Sequence, residues 1–116
     1  MKVIRHCTVQ VIPGKMGEFL KLQEEHDALA NRLGAPPHKR YSCISGESMH
    51  TLVYDTEWDS LAAMEDFFET LYVDLVAREV SAKIADITES HEIKFYMPCP
   101  KEYVYKFPGA SGHVKA

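Results

Sequence analysis

His26 is the residue whose type and position in this chain most clearly suggest chemistry. It interrupts an apolar row with the three- and four-residue spacing of one helix face, formed by Phe19, Leu22, Leu29 and Leu33. Because imidazole takes up or releases a proton near neutral pH, a histidine on such a face suits acid–base chemistry in a pocket. The alternative is a structural histidine, held by one hydrogen-bond partner in the core or by water at its edge.

Other side chains are expected to line the same space as His26. Tyr41 and Cys43 alternate along one predicted strand and Tyr54 lies on the next, so a phenol and a thiol could orient a polar ligand at a mostly apolar wall. Phe68 lies on the apolar row of a second helix. We therefore predict a ligand-binding set of His26, Tyr41, Cys43, Tyr54 and Phe68, with His26 as the candidate catalytic residue. The alternative is that they are ordinary core residues.

The sequence does not indicate a metal site or a nucleic-acid partner. His6, His50 and His91 fall at different heights on three predicted strands, and no flanking carboxylate pattern would fix their rings. The formal net charge is -4, and the basic residues are scattered rather than clustered, which gives no electrostatic footprint for nucleic acid. We expect no metal, no other cofactor and no nucleic-acid partner.

The cysteines and the start of the chain favour a cytoplasmic protein. Cys7, Cys43 and Cys99 are odd in number and form no CxxC pair, which is typical of reduced thiols. Polar residues interrupt the N-terminal stretch before the apolar core of a signal peptide could form. No apolar run approaches the roughly 20 residues that span a bilayer, so we expect no membrane partner.

The elements that must position these residues occur in the order strand, helix, strand, strand, helix, strand, which is the split βαβ plan of the ferredoxin-like fold. The predicted ranges are 2–12, 17–33, 40–45, 49–58, 60–87 and 91–97. Pro13-Gly14 ends the first strand, and Gly46-Glu47-Ser48 joins the hairpin strands. The long helical stretch is expected to bend near residues 72–74, because Tyr72-Val73 is a weak helix-forming pair.

The predicted fold is therefore α+β. Residues 1–98 form one ferredoxin-like domain, a four-stranded antiparallel sheet of strand order 4-1-3-2 with two helices on one face. The uncovered face carries a mixed row and is expected to form a homodimer; this row is Ile4, His6, Thr8, Gln10 and Ile12. Residues 99–116 form a C-terminal tail in which Tyr103, Tyr105 and Phe107 alternate. We expect the tail to pack on the domain or on the partner subunit.

Several segments resemble a known superfamily. They are Val11-Ile12-Pro13-Gly14-Lys15, Glu25-His26 on the helix, and Thr56-Glu57-Trp58 after the hairpin. With this order of elements, residues 1 to about 98 resemble the dimeric α+β barrel superfamily, and within it the NIPSNAP-type and antibiotic-biosynthesis-monooxygenase-type domains. The resemblance implies a homodimer whose two sheets form a barrel, with a pocket between sheet and helices in each subunit. The monooxygenase members act without metal or flavin on electron-rich substrates.

Three functions stay open at this point. The first is a dimeric barrel protein that binds a small apolar or aromatic molecule between sheet and helices. The second is a cofactor-independent monooxygenase that acts on a small aromatic or polyketide-like substrate, using His26 with Tyr41 or Tyr54. The third is a structural dimer without a ligand site. A cavity on the order of a few hundred Å³ at His26 would favour the first two.

Overall fold

A computed structural model describes residues 1–99, which form four strands and three helices. The elements are β1 Val3–Val11, α1 Met16–Arg32, β2 His38–Ser42, β3 Thr51–Trp58, α2 Leu61–Val73, α3 Leu75–Asp86 and β4 Thr88–Tyr96. The strands form one antiparallel sheet of order β2-β3-β1-β4. This confirms the predicted ferredoxin-like α+β fold and its strand order. The predicted packing of the tail lies outside the described residues.

Strand β1 lies in the middle of the sheet, and its side chains point alternately to the two faces of the sheet. One row is buried beneath the helices and contains Val3, Cys7, Val9 and Val11. Arg5 points to the same face, because side chains alternate along the strand, although Arg5 is only half-buried. The other row is half-buried along its length and contains Ile4, His6, Thr8 and Gln10. The helices therefore cover one face of the sheet, as predicted.

Two apolar clusters fix the helices on that face. The first joins α1 to the sheet and contains Val9, Val11, Phe19, Leu22, Leu52 and Ile87. The second joins the three helices to one another and contains Leu29, Leu71, Ala77 and Val80. Such burial contributes roughly 1.5 to 3 kcal/mol for each large side chain removed from water. A space between sheet and helices remains beside the second cluster.

The predicted bend in the long helical stretch is present at Asp74. This residue has extended dihedral angles, φ -77° and ψ 117°, and its carboxylate accepts a hydrogen bond of 2.9 Å from the Ala77 amide at the start of α3. The break gives three helices instead of two, and it lets both α2 and α3 line the space above the sheet. No helix within residues 1–99 combines the length and apolar character needed to cross a bilayer.

Candidate functional site

A pocket of about 230 Å³ lies between the sheet and the helices. Its floor is formed by Arg5 of β1, His38 of β2, and Tyr54, Thr56 and Trp58 of β3. Its walls come from the three helices and the loop after α1, through Gln23, His26, Ala30, Ala35, Phe67, Phe68, Leu71, Tyr72, Ser81 and Ile84. The volume exceeds the roughly 150 Å³ of an apolar cavity that accepts benzene, so it suits a molecule of one or two rings.

The structure brings three of the five predicted site residues together. His26, Tyr54 and Phe68 all line the pocket. Tyr41 and Cys43 do not, contrary to the expectation that they share the space around Tyr54. Tyr41 is 53% exposed on the opposite face of the sheet, because it is Arg40 that pairs with Tyr54 across the two strands. Cys43 follows the end of β2, and its thiol donates to the Ser45 carbonyl oxygen at 3.2 Å.

One wall of the pocket is aromatic. Trp58 lies beneath two phenylalanines of α2, with ring centroids 5.2 Å from Phe67 and 5.9 Å from Phe68. Tyr72 stacks on Phe68 at 5.8 Å, one turn further along the same helix. Contacts of this kind add about 0.5 to 1.5 kcal/mol each beyond simple burial, so the wall is held in place without a ligand. Its faces offer a planar molecule a stacking surface.

A charged network closes the pocket on the β2 side. Arg40 donates to both carboxylate oxygens of Asp27 at 2.7 Å and to the side-chain oxygen of Gln23 at 2.8 Å. This fork is charge-assisted, and the hydrogen bond to Asp27 raises the pKa of Arg40 above its ordinary value. The Arg40 guanidinium also lies 5.6 Å from the Tyr54 ring. The charge of Arg40 is thus compensated within the protein.

Two histidines contribute neutral imidazole groups to the pocket. Burial lowers the pKa of His26 below the ordinary histidine value, and the nearby Arg40 and Arg5 charges act in the same direction against a raising effect of Asp27. Burial also lowers the pKa of His38, although the Asp27 carboxylate lies 3.6 Å from its Nδ1 atom. At neutral pH these rings are uncharged, and a neutral imidazole can accept a proton.

Cys7 and Tyr54 face each other across β1 and β3 beneath the pocket. Burial raises the pKa of the Cys7 thiol, and the nearby Arg5 charge only partly offsets it. Burial also raises the pKa of Tyr54 to about 12. Both groups therefore stay protonated at neutral pH, and neither is poised as a nucleophile.

Three residues that the sequence reading missed lie side by side on the pocket floor. Arg5 faces Thr56 directly across the two strands, and Trp58 follows two residues later on the same face. The Thr56 hydroxyl and the Trp58 indole nitrogen are buried without a hydrogen-bond partner among the described residues. The sequence did contain one signal for Arg5. Side chains alternate along β1, and Arg5 is the charged residue in the otherwise apolar row that faces the helices.

Comparison with solved structures places this architecture among known folds. A NIPSNAP family protein from Agrobacterium tumefaciens superposes with a TM-score of 0.74 at 19% identity, over 86% of this chain and 88% of that one. An uncharacterized NIPSNAP domain protein from Burkholderia xenovorans gives 0.74 at 22% identity, over 85% and 99%. SnoaB, a cofactor-independent oxygenase from Streptomyces nogalater crystallised as a point variant, gives 0.66 at 12% identity, over 86% and 95%.

The chain has the fold of the NIPSNAP and antibiotic biosynthesis monooxygenase proteins. This confirms the resemblance stated from the sequence. No protein-family model matches the sequence, and no curated protein matches it either. At these identities the NIPSNAP-type likeness establishes the fold alone.

The lowered histidine pKa values predict a specific pH dependence of stability. Below about pH 6.5 the unfolded chain binds protons at His26 and His38 that the folded chain does not, so the free energy of unfolding should fall as pH falls. The variant with both His26→Gln and His38→Gln should lose less stability than wild type between about pH 7.5 and pH 5 in urea titrations. His91→Gln, at an exposed position, is the control. Parallel pH curves for the double variant and wild type would contradict the assignment.

Proposed function

We propose that this chain binds a small aromatic molecule in the pocket between the sheet and the helices. The observation that carries the proposal is a cavity of about 230 Å³ with an aromatic wall on one side and, on its floor, buried polar groups that have no partner within residues 1–99. A purely structural domain gains nothing from such a space, because an unfilled cavity and unpaired buried donors both cost stability. The pocket therefore supports the ligand-binding reading over a structural dimer without a site.

The lining also indicates the shape of the ligand. Tyr72 stacks on Phe68 and the Trp58 ring is tilted against it, so the wall presents a continuous aromatic surface against which a flat ring can pack. The polar groups of His26 and Thr56 lie elsewhere in the lining and would orient the ring substituents. A planar one- or two-ring compound with polar substituents matches both features.

Loss of the aromatic wall should weaken binding of a neutral aromatic probe. We expect 2-naphthamide to bind the wild-type protein in isothermal titration calorimetry, and Phe68→Ala to weaken this binding by about tenfold or more. Tyr41→Ala removes an aromatic side chain from the opposite face of the sheet and is the matched control, with unchanged affinity expected. Circular dichroism would show that both variants are folded. Equal losses in the two variants would refute the pocket as the site.

A second candidate is cofactor-independent oxygenation in the same pocket. It is favoured by the neutral imidazole of His26 beside an aromatic wall, and by the fold shared with the oxygenase SnoaB. His26 would accept a proton from an electron-rich ring system, and the resulting carbanion would react with O₂. The pocket partner of His26 would be Tyr54, because Tyr41 lies on the other face.

2-Tetralone, a two-ring ketone, is a suitable probe for this second candidate. Its CH₂ group between the aromatic ring and the carbonyl is acidic, and O₂ would oxidise it to a second carbonyl, one oxygen atom entering the product and the other leaving as water. We expect oxygen uptake with 2-tetralone, and His26→Gln should slow it by about tenfold or more because proton abstraction is lost. His91→Gln is the control. Uptake no faster than without protein would exclude this activity and leave the binding function standing.

We further propose that two copies associate through the open face of the sheet. This face is lined by half-buried side chains of β1, and it carries both charge signs, including the Lys94–Glu92 pair at 3.1 Å, beside a 2.6 Å hydrogen bond between His6 and Asp55. A mixed face of this kind can meet its own copy about a two-fold axis with opposite charges in contact. A stable interface of this type buries roughly 1,200 Å² or more in total.

A charge placed in the centre of the open face should prevent this association. Thr8 lies mid-strand on β1 and faces Glu92 of β4, so Thr8→Glu places like charges side by side. We expect a dimer for wild type and a monomer for Thr8→Glu in multi-angle light scattering at micromolar concentration. Lys21→Glu, on the exposed side of α1, should remain dimeric. A monomeric wild-type protein would contradict the proposed dimer.

A further inference from the structure

Arg5 is the one Arg or Lys among the described residues that line the pocket, and no acidic residue lines it. The Arg5 guanidinium forms no ion pair within residues 1–99, and its central carbon lies 5.2 Å from the centroid of the Phe68 ring. The neighbouring Arg40, by contrast, has a counter-ion, because its guanidinium donates two hydrogen bonds to the Asp27 carboxylate. A half-buried cation without a counter-ion is unfavourable, and an anion in the pocket would relieve it.

Two unpartnered hydrogen-bond donors stand beside Arg5. Thr56 is 2% exposed and Trp58 is 6% exposed, and neither the Thr56 hydroxyl nor the Trp58 indole nitrogen has a partner in the described part of the chain. Both side chains line the pocket. Buried polar groups in native proteins are nearly always hydrogen-bonded, so this pair marks a place where an acceptor from outside the described residues belongs.

The three side chains share one face of the sheet and the lining of one pocket. Arg5 and Thr56 are directly opposed across β1 and β3, and Trp58 lies on the same face one side chain further along. Phe68 borders this group, because its ring lies 5.2 Å from the Arg5 guanidinium and 5.9 Å from the Trp58 ring. A ring packed against the aromatic wall that contains Phe68 would therefore place a substituent among the three donors.

We propose that the pocket recognises an aromatic carboxylate, with the carboxylate held by Arg5, Thr56 and Trp58 and the ring held by the wall containing Phe68. A carboxylate has two oxygens and about four acceptor sites, which matches the fork of a guanidinium plus two single donors. A phenolate, with one oxygen, would leave part of this donor set unsatisfied. This inference rests on the proposed ligand-binding function and adds the charge class of the ligand.

The surrounding charges agree with an anionic ligand. His26 and His38 are neutral at neutral pH because burial lowers the pKa of each ring, and the Arg40 charge is compensated by Asp27. Arg5 is then the uncompensated charge of the lining. An anion entering the pocket meets attraction from Arg5 without an acidic side chain in the described lining to oppose it.

The test compares two ligands of nearly the same shape that differ in charge, 2-naphthoate and 2-naphthamide, by isothermal titration calorimetry at about pH 8. Wild type should bind the naphthoate at least about tenfold more tightly than the naphthamide. Arg5→Gln should reduce this ratio to about one, chiefly by weakening naphthoate binding. Arg32→Gln, which removes an exposed arginine at the end of α1, should keep the full ratio.

A second variant keeps the test decisive if Arg5→Gln does not fold. Thr56→Val preserves the side-chain shape and removes a buried hydroxyl that has no partner in the described chain, so the fold should tolerate it. Naphthoate binding should weaken several-fold in this variant. Equal wild-type affinity for the two ligands, or a naphthoate preference unchanged in every folded variant, would overturn the carboxylate assignment while the pocket remained a binding site. Failure of both ligands to bind wild type would overturn the proposed function as well.

Discussion

The antiparallel register between β1 and β3 is the constraint on which the site depends. It places Arg5 opposite Thr56 and Cys7 opposite Tyr54, so that these four side chains share the face that the helices cover. Because strand side chains alternate, a shift of one residue would send this whole row to the open face and bring the mixed row of β1 beneath the helices. The large cost of that exchange fixes the register and, with it, the floor of the pocket.

The electrostatics of the pocket depend on the surroundings of each charged or titratable side chain in and beside it. Burial keeps His26 and His38 neutral at neutral pH by lowering the pKa of both, and Asp27 compensates Arg40 through a bidentate pair. Arg5 is left with an aromatic neighbour, Phe68, and no carboxylate among the described residues. The fold therefore places one positive charge, uncompensated within residues 1–99, beside an aromatic surface, and this combination supports the proposed ligand pocket.

The sequence was sufficient for the fold because strong local signals agreed with one another. The alternation of β1, the helix rows and the weak pair before Asp74 predicted the strand order and the break between α2 and α3. The prediction was wrong for the inward face of β2. Every residue of this strand that faces the helices is polar, and the aromatic Tyr41 faces outward, so hydrophobicity indicated the wrong side of the strand. Arg5 was missed because a single charge in an apolar row resembles an interruption of the pattern. The lack of a hydrogen-bond partner for Thr56 and Trp58 within residues 1–99 becomes visible only when β1, β3 and α2 are assembled.

The central claim is that two donors on the pocket floor, which have no partner within residues 1–99, bind a ligand, and the side chain of Trp58 reports directly on this binding. The chain has one tryptophan, so a ¹⁵N-labelled sample gives a single indole N–H signal. Titration with 2-naphthoate should move this signal in a saturable way towards the hydrogen-bonded range, while the Thr56→Val variant shows the same endpoint at higher ligand concentration. An indole signal that stays in place while backbone signals elsewhere shift to saturation would contradict the account.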